Sequence, residues 1–249
     1  ILGYKNQDEL MSKFKRIADI VELDKSNLVA EPIVIKVQLS NENVDIYKEF
    51  SKEMIMEING ETASAQNALV KLNKLRQITN GFIIDDQKTI HNFGHDKANQ
   101  IVDLVEDISK EYKIVIYCVY SNDVTKLRAA LYKTGRKTFE LSGRFDELEV
   151  WKLSSGGVLV TQVESGAYGI DMSCASYCFY YSLPLSFGTF DQSRARLYGL
   201  TKLERVAYYY IVARGTVDVK ILNALNDKEN IIDKIMTNPE IISYDNADE

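Results

Sequence analysis

The stretch GVLVTQVESGAYGIDM, residues 157–172, decides how this chain is read. Residues 158–160 are an uninterrupted apolar run, as a strand buried on both faces of a parallel sheet presents. Gly166 and Gly169 follow just past its end. Open α/β sheets place ligands at that end of their strands, and glycines let backbone amides approach phosphates. The same Gly-x-x-Gly spacing also makes an ordinary tight turn. Asp171 comes next, where it can accept a hydroxyl, order a basic group or cap a turn.

Working outward, YCFYYSLP (177–184) predicts a second strand and FGTFDQSRARLYG (187–199) a helix carrying Gln192, Arg194 and Arg196. Arginine and glutamine on a short helix beside a glycine turn form a phosphate-facing cluster, or else an exposed basic helix face. VAYYYIVA (206–213) predicts another strand, and a final amphipathic helix is expected over 217–236. Upstream, a helix over 96–112 precedes IVIYCVY (114–120), apolar throughout. Ser121 or Asn122 caps a helix reaching Tyr132, and a strand at 138–141 and a helix at 145–153 continue the alternation. Before His95 the texture differs. It holds an amphipathic helix near 7–21, a strand at 33–40, and helices at 40–58 and 64–79, stopped by Asn59-Gly60 and Asn80-Gly81. The expected architecture is α/β, a parallel sheet flanked by helices over 95–249, preceded by a mostly helical connector within 1–94.

Of the 249 residues, 45% are hydrophobic and 27% charged, the balance of a soluble globular protein. No apolar run approaches the ~18–20 residues of a membrane span, so no membrane partner is expected. A formal net charge of −6 argues against a free-standing, sequence-specific DNA binder. It leaves room for a lobe that meets a nucleic-acid backbone through a small local patch. Cys118, Cys174 and Cys178 lack CxxC spacing and read as reduced core cysteines of a cytoplasmic protein. His91 and His95 have Gly94 between them and no ligand set nearby, so no metal site is expected. A chain starting at Ile1 reads as a piece of something longer.

Taken in order, these pieces resemble motifs V and VI of superfamily-two helicases, above all the Swi/Snf-type branch and its phage and bacterial relatives. Motif V there is a strand followed by a turn ending in Gly-(Leu/Ile)-(Asn/Asp)-Leu, similar to residues 166–172 here. Motif VI reads Gln-x-x-x-Arg-x-x-Arg, and Gln192 and Arg196 match its Gln and first Arg. KIVIYCVYSNDVTKL (113–127) is similar to motif IV, and ELSGR (140–144) to the loop after it. RGTVDVKILNALNDKEN (214–230) resembles the family's closing helix, and LSNENVDIYKEF and NALVKLNKLRQITNGF resemble the helical connector between two lobes. The resemblance covers nearly the whole chain.

The resemblance implies a RecA-like second lobe of an ATP-dependent DNA helicase or translocase. Residues 1–94 would be the end of the first lobe and the connector, and 95–249 the second lobe. Gln192 and Arg196 would face the nucleotide and act in catalysis, with Gly166, Gly169 and Asp171 as further nucleotide-binding residues. Tyr120, Ser121, Asn122, Ser142, Gly143 and Arg144 would meet the DNA backbone. ATP and Mg would be held mainly by the first lobe of the same polypeptide.

Two departures qualify this. No GxxxxGK[ST] motif exists, because TGRKT at 134–138 lacks the glycine frame, and there is no Asp-Glu-x-His or Asp-Glu-Ala-Asp box. The second arginine of motif VI, the one expected to reach the γ-phosphate, falls at Gly199. Arg194 and Arg205 are the remaining substitutes. The rival reading is a non-catalytic nucleic-acid- or partner-binding module derived from such a lobe. A small Rossmann-like nucleotide or methyl-donor enzyme is a third, without the G-x-G-x-x-G turn it needs.

Overall fold

A computed structural model of the chain describes residues 31–60, 64–165, 170–198 and 205–245. The helix expected near 7–21 lies outside them. In chain order the elements are β1 (Ile33–Val37), α1 (Asn41–Asn59), α2 (Ala65–Thr79), β2 (Phe82–Ile84), β3 (Ile90–Asn92), α3 (Asp96–Glu106) and β4 (Lys113–Cys118). There follow α4 (Ser121–Tyr132), β5 (Thr138–Leu141), α5 (Leu148–Leu153), β6 (Gly157–Gln162) and β7 (Tyr177–Tyr180). The last are α6 (Phe187–Ala195), β8 (Ala207–Ala213), α7 (Val217–Asn226), α8 (Ile231–Thr237) and a 3-10 turn (Pro239–Ile242).

Six strands make one sheet in the order β1-β8-β7-β4-β6-β5, every neighbouring pair parallel. The expected parallel α/β architecture is the one found. One strand comes from before residue 95: β1 pairs Ile33 with Tyr209 and Val37 with Ala213. Because strand side chains alternate, each apolar run feeds two cores. Val115, Tyr117, Leu159, Tyr180 and Tyr208 face a layer that includes Trp151 and the connector helices. Ile114, Ile116, Val158, Phe179 and Ile211 face α3 and α4.

Three of the local departures from the sequence expectation have a visible cause. Helix α3 stops at Glu106 rather than at 112, because the buried Arg136 guanidinium donates to the Val105 (2.9 Å), Ile108 (2.6 Å) and Ser109 (2.8 Å) carbonyls. A cation on the last carbonyls of a helix is a favourable terminator. The helix expected over 217–236 is two, α7 and α8. Lys228 between them takes φ 57°, and Asn230 caps α8 by accepting from the Ile232 amide. The antiparallel pair β2–β3 was not expected at all. Its turn is held by Asp85, whose Oδ1 accepts from the Gln87 and Thr89 amides.

Helices α1 and α2 are fastened to the sheet by buried polar groups. The Tyr47 hydroxyl donates to the Ile242 carbonyl (2.9 Å) and accepts from the Val217 amide (2.8 Å) at the start of α7. Lys97, 2% exposed, donates at 2.8 Å to both Asn80 Oδ1 and Asp218 Oδ2. Asp218 also accepts from Thr79 and from the Ala213 amide. Asn80 Nδ2 donates to Asp123 Oδ2 (2.8 Å), and Lys126 Nζ donates to the Asn80 carbonyl (2.8 Å). Thus α2, α3, α4, α7 and β8 meet in one network.

Removing one partner of a buried ion pair strands the other charge. Lys97→Ala is therefore expected to cost about 3–5 kcal/mol in urea denaturation; an unchanged midpoint would show that this network does not fasten the connector. Asp123 supplies a second test. Burial raises its carboxyl to about 7, against the pull of Lys97 and Lys126, whereas an unfolded aspartate titrates near 4. Between those values the folded state keeps a proton that the unfolded state has lost, so stability falls as pH rises through that window. Asp123→Asn is expected to flatten the slope of stability against pH between about 4 and 7.

Candidate functional site

Because all six strands run the same way, their C-terminal ends share one edge. The loops after β4, β5, β6, β7 and β8 gather there. The chain leaves β4 toward the β6–β5 side and leaves β7 toward the β8–β1 side. That reversal opens the crevice in which such sheets bind ligands.

Arg196 sits at this edge as the C-cap of α6. Its Nη1 donates to the Val163 carbonyl (3.1 Å), and its own carbonyl accepts from the Met172 amide (2.9 Å). One residue thus grips both flanks of the glycine segment, although Gly166 and Gly169 themselves lie outside the described residues. Beneath it, the Tyr117 hydroxyl donates to the Ser193 carbonyl (2.9 Å). Burial pushes that phenol well above its ordinary value, opposed by the Arg196 guanidinium beside it. Gln192 is exposed on α6. Asp171 Oδ1 accepts from the Ser173 amide (2.8 Å), as in a turn cap. Arg194 is turned inward, its guanidinium 5.6 Å from the Phe190 ring centroid and 5.4 Å from that of Tyr208. Arg205 is exposed ahead of β8. Gly199 lies outside the described residues.

The second group of expected residues lines the same edge further along. Ser121 is exposed at the start of α4, and Asn122 Nδ2 donates to Asn92 Oδ1 (3.1 Å). Tyr120 faces the connector instead. Its ring meets Phe82 edge-on at 5.5 Å and Arg76 at 5.6 Å, and its hydroxyl donates to the Asn73 carbonyl (3.2 Å). The side chain braces the loop from behind. After β5, Ser142, Gly143 and Arg144 form a tight loop whose anchor is Glu140, a residue the sequence reading passed over. Glu140 is 1% exposed. It accepts from Ser142 Oγ, from Arg128 Nη1 and from Arg144 Nη2 (3.2 Å). Burial alone would raise its carboxyl; Ser142, Arg128 and Arg144 outweigh that and hold it below its ordinary value. The available signal was an acid inside the strand FEL, where an unpaired charge is costly.

No family model matches the chain. It is 20% identical over 251 residues to the uncharacterized ATP-dependent helicase MG018 of Mycoplasma genitalium, across 93% of this chain and 24% of that protein. The chain therefore spans about a quarter of that relative's length. Among solved structures it resembles the C-terminal part of the Fun30 ATPase domain, with a TM-score of 0.65 at 12% identity over 85% of this chain and 97% of that one. The Sulfolobus solfataricus SWI2/SNF2 ATPase core in complex with dsDNA gives 0.64 at 17% identity, over 93% of this chain and 52% of that one. The C-terminal domain of the same ATPase gives 0.58 at 18% identity, over 82% and 88%. The chain has the RecA-like fold of SWI2/SNF2 C-terminal lobes, as its motifs led one to expect.

The Arg196 grip is directly testable. Arg196→Ala removes the bond to Val163, so the amides around residues 163–172 should exchange hydrogen faster while those of β4 and β7 keep their protection. Uniform exchange in both proteins would mean that Arg196 does not hold this segment.

Proposed function

We propose that this chain is the second motor lobe of an ATP-dependent DNA helicase or translocase. On this reading residues 1–94 end the first lobe and form the connector, and 95–249 are the second lobe, working in the cytoplasm. The observation that carries it is the Arg196 clasp on both flanks of the glycine segment, at the switch point of a RecA-like sheet. A guanidinium has five N–H donors, more than its bonds to Val163 and Tyr117 use.

The first lobe would hold ATP and Mg, and this lobe would offer positive charge to the γ-phosphate from Arg196, with Gln192 beside it. Electrostatic stabilisation of that kind is the main protein contribution to phosphoryl transfer. The residues here fit the second half of such a site and not the first, since no GxxxxGK[ST] stretch is present. Ser121, Asn122 and the Ser142–Gly143–Arg144 loop would meet DNA phosphates, and Gly166, Gly169 and Asp171 would link that face to the nucleotide. Contact with the backbone needs no base reading, so an acidic lobe is compatible with it.

A hydrolysis-deficient module derived from such a lobe is the second reading. Two observations favour it: glycine occupies the finger position at 199, and Arg194 is packed between aromatic rings rather than aimed at the edge. Both readings require DNA at the same loops. A labelled blunt duplex should therefore bind this chain with an affinity that falls as salt rises. Arg144→Ala should reduce the slope of log K against log salt by about 0.9, one phosphate contact. Affinity indifferent both to salt and to this variant would remove DNA from the proposal.

A further inference from the structure

A groove between the end of α4 and α5 has no part in the site above. It lies at the N-terminal ends of β5 and β6, opposite the edge where the loops of the candidate site gather. Tyr132, Lys133, Lys137, Phe139, Val150 and Leu153 line it, around an open volume of about 870 Å³. Three of these side chains are large and apolar yet face water: Tyr132 is 79% exposed, Val150 62% and Leu153 87%. Helical spacing explains how α5 presents two of them. Leu148 and Trp151, three apart, point into the core, so Val150 and Leu153, also three apart, share the outer face. Single exposed apolar side chains are ordinary, whereas several around one concavity mark a contact surface.

The rim of the groove is basic. Lys133 and Lys137 are exposed, and none of the residues lining the groove is acidic. On α5 itself, Glu149 is paired with Lys152 (2.8 Å). Lys133 is not needed to close α4, because the Thr134 hydroxyl donates to the Leu131 carbonyl (2.7 Å) and the Gly135 amide to the Tyr132 carbonyl (3.1 Å). Two ammonium groups thus stand over an apolar floor, in a chain whose formal net charge is −6. A second copy docked symmetrically would bring these cations against one another. An acidic partner with apolar anchors satisfies both halves of the surface. Its backbone is helical rather than extended. Although β5 is the outermost strand, the Glu140 amide and carbonyl are already taken, by Glu147 Oε2 (2.7 Å) and the Glu147 amide (3.0 Å), so a strand cannot be added along it.

We propose that this groove docks an acidic amphipathic helix of a partner protein. The helix would lay its apolar face on Tyr132, Val150 and Leu153 and direct its carboxylates at Lys133 and Lys137. A partner seated here leaves the loops at the C-terminal edge open, and the inference does not depend on the proposed function.

The test is selection of a random peptide display library on the whole chain, with counter-selection on Leu153→Asp and, separately, on Val150→Asp. Enriched peptides should be acidic, with apolar residues at i, i+3 or i+4, and i+7. The tightest of them, synthesised and labelled, should bind the wild-type chain with an affinity that falls as salt rises. Leu153→Asp should weaken it about tenfold or more, as expected for loss of a central anchor. The double variant Lys133→Glu/Lys137→Glu should lose it, and the same peptide with its glutamates replaced by lysine should bind that double variant but not the wild type. No enrichment, enrichment of neutral or basic peptides, apolar residues alternating as in a strand, or affinity indifferent to these variants would each overturn the proposal. Self-association of the wild-type chain that Leu153→Asp abolishes would assign the groove to a second copy and overturn it too.

Discussion

A single buried ammonium organises this molecule. Lys97 sits where five elements converge, 2% exposed, and a cation so placed must find partners or unfold its surroundings. Asn80 and Asp218 accept its protons, and the Tyr181 ring lies 5.1 Å away. Each partner is tied in turn: Asp218 to Thr79 and to the end of β8, Asn80 to Asp123 at the start of α4. If Lys97 or Asp218 shifts alone, a buried charge loses its partner. Helix α2 is consequently a wall of the C-terminal edge, and its Arg76 packs on Tyr120 in the loop after β4.

Much of this was legible in sequence, and the part that was not has a physical pattern. Strands buried on both faces announce themselves by continuous apolar runs, so β4, β6 and β8 were readable to within a residue or two. Asn80-Gly81 was readable as a helix stop. It was not readable as a junction, because the partners of Asn80 lie 17 and 43 positions away and only the fold brings them together. The end of α3 was misread for the same reason, since its terminator, Arg136, comes from the far side of β4. The β2–β3 pair hid because three-residue strands give too short an alternation. At the candidate site the motif spacing pointed to Arg196 and the loop at 142–144. It gave no role to Glu140 or Arg128, whose importance lies in whom they touch.

The net charge of −6 proves a poor guide to this edge. Several carboxylates that make the chain acidic are engaged inside it. Glu140 holds two arginines, Asp218 holds a lysine, and Asp123 is hidden beneath α2. Their role is to aim cations, so the field at the C-terminal edge is set by which basic groups reach the surface rather than by the sum over residues.

The pairing of β1 with β8 carries a consequence for how the chain comes to exist. Ile33 meets Tyr209, a partner 176 positions later by subtraction of their numbers. Ribosomes add roughly 5–20 residues each second, so β1 waits on the order of 10–35 seconds for its neighbour to be made. Throughout that interval it is an unpaired strand with Ile33, Val34 and Ile35 in sequence, the kind of edge that nascent chains must keep from associating with one another. Lys36 within the strand, and Glu31 and Glu42 on either side of it, put charge where such association would otherwise begin.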